Sequence, residues 1–72
     1  MSWRKIELKL WGGISSWEHM ETGAVLSIYE RPDDDGSYEV VESLNGGLEV
    51  IAITNTLSEA SVAAESYREA NQ

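Results

Sequence analysis

Seventy-two residues without a cysteine carry thirteen acidic side chains against five basic ones, a formal net charge of −8. A chain this short buries only about 60% of the surface its unfolded form exposes, and no disulfide can widen that margin. Thiol catalysis and thiolate metal sites are excluded, direct binding to a nucleic-acid backbone is disfavoured for want of Lys and Arg, and no apolar run reaches the length of a membrane span.

The chain reads as one domain over residues 1–72, soluble and cytoplasmic, whose charge either serves solubility or favours a basic partner. Trp3 to Trp11 alternates with a period of two, so it is a predicted strand: Ile6, Leu8 and Leu10 point one way, Lys5, Glu7, Lys9 and Trp11 the other. Gly12-Gly13 breaks it. Ile14 to Gly23 is read as either a short helical turn capped by Ser15 or Ser16 or a long ordered loop, with Trp17 packing it against the sheet. Ala24 to Glu30 is the second predicted strand. Arg31 to Gly36 is a turn, because Pro32 cannot donate to a ladder and Asp33, Asp34 and Asp35 favour turn geometry.

Ser37 to Ser43 alternates as a third strand, Asn45-Gly46-Gly47 supplies the positive φ angles of a tight hairpin, and Leu48 to Thr54 alternates back. Thr56-Leu-Ser-Glu59 is a capping box that opens a helix running nearly to the C-terminus. Leu57, Ala60, Ala64 and Tyr67 share one helix face with Ala63 beside them, and alanines there imply a close approach to the sheet. The predicted fold is α+β: a four-stranded antiparallel sheet with one C-terminal helix packed on one face, in the order β-loop-β-β-β-α. The other face is left uncovered, with Trp3, Trp11, Val25, Tyr29, Val40 or Val41, Lys5, Lys9, Glu39 and Glu42 as its candidates.

Signals for chemistry are sparse. An EF-hand loop starting at Asp33 would need Gly sixth and Glu twelfth, and Tyr38 and Leu44 stand there, so no metal site is expected. His19 lies three and four residues after Ser16 and Ser15, within reach on a helical turn, but no orienting acid or oxyanion hole can be placed with them, and His19 is read as an ordinary surface or loop residue. Neither Gly pair leads into the Lys-Ser/Thr or helix start of a phosphate-binding loop. No cofactor and no catalytic residue is assigned, and the chain is read as a non-enzyme.

From Ala24 to Ala70 the order of signals resembles the HicB-type antitoxin domain, a partial double-stranded-RNA-binding-like fold. The residues that carry the resemblance are Asp35-Gly36-Ser37-Tyr38 and Thr56-Leu57-Ser58-Glu59-Ala60. It implies the strand order and, functionally, a homo-oligomeric regulatory module that uses its open sheet face. By size, acidity and lack of catalytic groups the chain also resembles phage-encoded anti-defence proteins, anti-CRISPR proteins among them. That likeness implies an inhibitor whose carboxylates imitate phosphates on a basic, nucleic-acid-binding surface of a partner protein. The expected partner-binding residues are Glu30, Asp33, Asp34, Asp35, Glu39 and Glu42 around one hairpin, with Trp3 and Trp11 as aromatic anchors. The chain itself is expected to bind neither nucleic acid nor membrane, and to be a monomer or a homodimer.

Overall fold

The structure, a computed structural model, describes residues 2–7, 13–31 and 36–72. Among these residues the elements are β1 (Trp3–Ile6), β2 (Gly13–His19), β3 (Val25–Glu30), β4 (Tyr38–Leu44), β5 (Gly47–Thr54) and α1 (Leu57–Ala70). The strands form one antiparallel sheet in chain order, β1-β2-β3-β4-β5, and the helix lies across one face.

The α+β class holds, but the sheet has five strands and not four. The additional strand is β2, which occupies the stretch read as a helical turn or loop. Its polar run Ser15-Ser16, with Glu18, hides the alternation, yet Trp17 and His19 go to one side and Ser16 to the other. The hairpin to β3 closes with His19 N–H donating to the Ala24 carbonyl at 2.8 Å and Gly23 N–H to the His19 carbonyl at 2.9 Å.

The β4–β5 turn is the predicted one. Leu44 pairs with Gly47 across a two-residue loop, and Asn45 (φ 53°) and Gly46 (φ 82°) both take the positive φ that such hairpins require. Further along, Val41 pairs with Val50 but Val40 with Ala52, so Ile51 is an extra residue in β5. Ile51 and Ala52 consequently both pack against the core, a β-bulge in the edge strand.

Leu26, Ile28 and Val40 form the buried centre of the sheet, under Ala60 and Ala64 of α1, which are both fully buried. The remaining helix residues follow the predicted face only in part. Ala63 and Tyr67 pack against the core, whereas Leu57 is 39% exposed.

Two aromatic placements depart from expectation. Trp3, predicted on the uncovered face, is buried on the helix side, where it meets His19 edge-on at 4.8 Å and Tyr67 at 6.5 Å. Its indole N–H donates to the Asn71 carbonyl at 3.2 Å and ties β1 to the end of the helix. The reason is β2: Trp3 pairs with His19 and Lys5 with Trp17, so the aromatics of β2 draw that side of β1 under the helix and leave Ile6 on the other. His19, read as a surface residue, is 7% exposed.

The helix starts where predicted, but of the reciprocal capping box only the Thr56 half forms: Glu59, expected to reach back to the Thr56 amide, accepts from the Thr56 hydroxyl instead. Thr56 is the N-cap and its hydroxyl accepts the Glu59 amide at 3.1 Å. The Glu59 carboxylate returns to the Thr56 hydroxyl at 3.2 Å, which donates to it. Thr56→Ala is expected to cost about 1 kcal/mol. In a domain of this size that lowers the melting temperature by about 4–8 °C. Thr56→Ala with Glu59→Ala is expected to cost less than the two single changes together, because both act through one pair of contacts. Thermal melts of the three variants check both expectations.

Candidate functional site

Alternation sorts the side chains of every strand onto two faces, and the two faces differ in chemistry. On the face without the helix, the strand register sets three transverse rows. The middle row is Ile6, Ser16, Ser27, Val41 and Val50, without a charge. Ser16 (1% exposed) and Ser27 (2% exposed) are buried, although no helix or strand of the described residues lies over them. Their hydroxyls hydrogen-bond each other at 2.9 Å, which satisfies the floor of the face internally. Over Ser27 and Val41 opens a shallow, mainly apolar trough of about 430 Å³, walled by Val25, Tyr29, Glu39 and Leu48. Towards the β5 edge, Leu48, Val50 and Ile53 project into solvent.

The charged residues of this face are matched. Arg4 donates to Glu18 at 2.8 and 3.1 Å, and Arg31 lies 3.6 Å from Glu39. Among the described residues, two cations of this face lie against two anions.

The helix side carries the excess. Glu21, Glu30, Glu42, Glu49, Glu59, Glu65 and Glu69 lie there, and none of them forms an ion pair among the described residues. Two cations of the described residues on this side are both held by Trp17: the Arg68 guanidinium stacks 4.2 Å from the ring centroid and the Lys5 ammonium lies 5.5 Å away. The Arg68 Nε is buried without a hydrogen-bond partner, so the aromatic face is what receives that side of the cation.

At one end of this side, Glu42 and Glu49 stand directly opposite each other on β4 and β5, an unfavourable like-charge pair. Tyr67 stands over them. Burial, a hydrogen bond to Glu42 and the charges of Glu42 and Glu49 push its hydroxyl from 10.0 up to about 12. A shallow depression beside Tyr67 is lined by Trp3, His19, Glu21 and Glu42. His19 is engaged structurally: its Nδ1 accepts the Glu21 amide at 3.2 Å and the Thr22 amide at 3.3 Å, which leaves the ring proton on Nε2.

The predicted partner-binding residues that the structure describes, Glu30, Glu39, Glu42 and Trp3, do not share one patch. Glu30 and Glu42 face the helix side at opposite ends of the β3–β4 hairpin, and Glu39 faces the other way. Odd and even positions of a strand cannot share a face, so proximity in sequence overstated their proximity in space. Trp3 is a core residue, and Lys5 also belongs to the helix side. Val25, Tyr29 and Val41 lie on the uncovered face as predicted. Asp33, Asp34, Asp35, Lys9 and Trp11 lie outside the described residues.

Sequence reasoning missed Glu49, Glu21 and Tyr67 as one cluster with Glu42. The signal was the hairpin register, which pairs Glu42 with Glu49 once Asn45-Gly46 is fixed as the turn. Nor can Ser15 or Ser16 work with His19 as neighbours on a helical turn would. On β2 the Ser16 and His19 side chains lie on opposite faces, and Ser15 is a full strand segment away from His19. Among the described residues no three His, Cys, Asp or Glu side chains gather to hold a metal ion, and no helix is long and apolar enough to cross a membrane. Comparison with family models, curated proteins and solved structures finds no match for this chain.

The tyrosine yields a prediction. Unfolded, Tyr67 ionises near 10.0, and folded only near 12. The stability from its neutral, hydrogen-bonded form is therefore complete below pH 10.0 and is lost as the pH rises to about 12. Thermal melts are expected to show a fall across this window that is shallower in Tyr67→Phe, which keeps the ring and removes the proton.

Proposed function

We propose that the protein is a non-enzymatic acidic binding protein that occupies a basic, nucleic-acid-handling surface of a partner protein, an inhibitor of the phage anti-defence or anti-CRISPR type that works by nucleic-acid mimicry. The observation that carries this reading is the one-sided charge. Among the described residues, carboxylates without ion pairs are gathered on the helix side, while on the opposite face Arg4 and Arg31 lie against Glu18 and Glu39. Charge spread only for solubility has no reason to be segregated in this way. Charge meant for a positive surface gains both steering and complementarity when it shares one side of a rigid sheet and helix.

On this reading the contact residues are revised from the β3–β4 turn toward Glu42, Glu49, Glu65 and Glu69, with Glu21 and Glu30 beside them. Phosphate imitation requires anions on a rigid frame, and β4, β5 and α1 supply one. Asp33, Asp34 and Asp35 extend the acidic set in the sequence.

The test is affinity capture from the native host on the immobilised chain, with bound protein then challenged by a double-stranded oligonucleotide and by rising NaCl. The oligonucleotide and salt are both expected to release the partner. Glu42→Lys with Glu49→Lys, and separately Glu65→Lys with Glu69→Lys, are expected to weaken capture at least tenfold. A captured protein that the oligonucleotide leaves in place, or that both charge-reversed chains hold as tightly as the native one, would sink the proposal.

A further inference from the structure

We infer that Asn45 is a site of spontaneous modification, at which the chain converts its own β4–β5 turn to aspartyl and isoaspartyl forms. This goes beyond the acidic-binder reading and does not rest on it, since the reaction needs only the chain and water.

The step is an intramolecular displacement. The Gly46 amide nitrogen gives its proton to solvent base and attacks the side-chain carbonyl carbon of Asn45. The new C–N bond forms as the bond to the side-chain nitrogen breaks, and that nitrogen takes up a proton and leaves as ammonia. Water then opens the resulting five-membered succinimide at either carbonyl. Attack at the side-chain carbonyl gives Asp. Attack at the main-chain carbonyl gives isoaspartate, whose main chain runs through the former side chain. One water is consumed and one ammonia released, with no oxidant or reductant.

The structure separates Asn45 from the other asparagines, Asn55 and Asn71. Asn45 is exposed, precedes Gly46, and makes no side-chain hydrogen bond among the described residues. A Cβ placed on Gly46 would meet nothing within 4 Å, so the approach to this peptide is open. Asn55 precedes Thr56, whose branched side chain crowds the attacking nitrogen. Asn71 is held in place: its side-chain amide donates to the Tyr67 carbonyl at 2.8 Å, and its own carbonyl accepts the Trp3 indole at 3.2 Å.

The fold gates the reaction. Asn45 sits at φ 53° in a two-residue turn, and the left-handed backbone rotates the following nitrogen away from its side chain. Ring closure therefore waits for the hairpin tip to open. The tip lies in water at the end of the last strand of the sheet, where local opening is easiest.

The two products differ in consequence. Asp-Gly suits the same turn, so this form keeps the register and adds one carboxylate to a chain already at −8. Isoaspartate inserts an extra main-chain atom between Leu44 and Gly47, the pair that closes the loop, and loosens β5 from β4.

The experiment is incubation of the full chain over weeks, folded and in concentrated urea, at several pH values. Peptide mapping by mass spectrometry and labelling with an isoaspartyl methyltransferase follow conversion at each asparagine. Asn45 is expected to convert at least tenfold faster than Asn55 and Asn71, and more slowly in the folded chain than in urea. Its rate is expected to rise with pH, because the attacking nitrogen must lose its proton. Isoaspartyl chains, separated by ion exchange, are expected to melt below the native chain, and Asn45→Asp to melt with it. Asn45→Gly, which keeps a turn-forming pair, is expected to take no label at this position. Conversion of Asn45 no faster than that of Asn55 or Asn71 overturns the inference. So does an equal rate in the folded chain and in urea, or an isoaspartyl chain that melts with the native one.

Discussion

The contact of Ala60 and Ala64 with the sheet is the constraint from which the rest of the molecule follows. Both are fully buried, and their short side chains let a fourteen-residue helix lie directly over Leu26, Ile28 and Val40. One helix can cover only one side of five strands. The chain buries what it can on that side, and each strand must divide its residues between a covered and an uncovered face. Small residues at the contact bring the layers close, and Trp3, Trp17 and Tyr67 then fill the flanks around the narrow junction. An aromatic set at the margin of an alanine centre is how a chain without Phe or Cys assembles a continuous core.

The division between faces also governs electrostatics. Strand alternation places each carboxylate on one side or the other, and the basic residues complete the asymmetry. Arg4 and Arg31 neutralise Glu18 and Glu39 on the uncovered face. Lys5 and Arg68, the cations that could have offset the helix side, are drawn to the face of Trp17 instead. Trp17 thus serves both as packing and as a sink for positive charge, which leaves Glu42 and Glu49 facing each other without a counterion among the described residues.

How much of this was legible in the sequence depended on whether local pattern or long-range pairing decided the point. The Asn45-Gly46 hairpin and the Thr56 cap are local: a positive φ pair and a hydroxyl three residues before an amide are specified by adjacent residues. The strands of the β3–β4–β5 meander were legible for the same reason. β2 was not, because Ser15 and Ser16 carry no hydrophobic signature and Ser16 is buried only when β3 stands beside it. The error at β2 then propagated to Trp3. Once the strand that pairs with β1 is missing, Ile6 and its aliphatic neighbours are the natural choice for the core, and only the pairing of Trp3 with His19 reverses that choice. In the candidate acidic set, Glu30, Glu39 and Glu42 are close in number but divided by the sheet itself.

The bulge at Ile51 has a meaning that packing alone does not express. Strand β5 is anchored at both ends by features that each dictate its phase, the Asn45-Gly46 turn at one end and the Thr56 cap at the other. Counted from the turn, Leu48 and Val50 look outward and Glu49 looks toward Tyr67; counted back from the cap with strict alternation, these three would be exchanged. The two anchors disagree by one residue, and Ile51 absorbs the disagreement by letting two consecutive side chains point inward. β5 is therefore the segment of this chain where a single-residue deletion is least disruptive. Loss of Ile51 would bring both anchors into agreement at the cost of one core side chain, whereas an unpaired deletion in β3 or β4 would exchange the contents of the two faces.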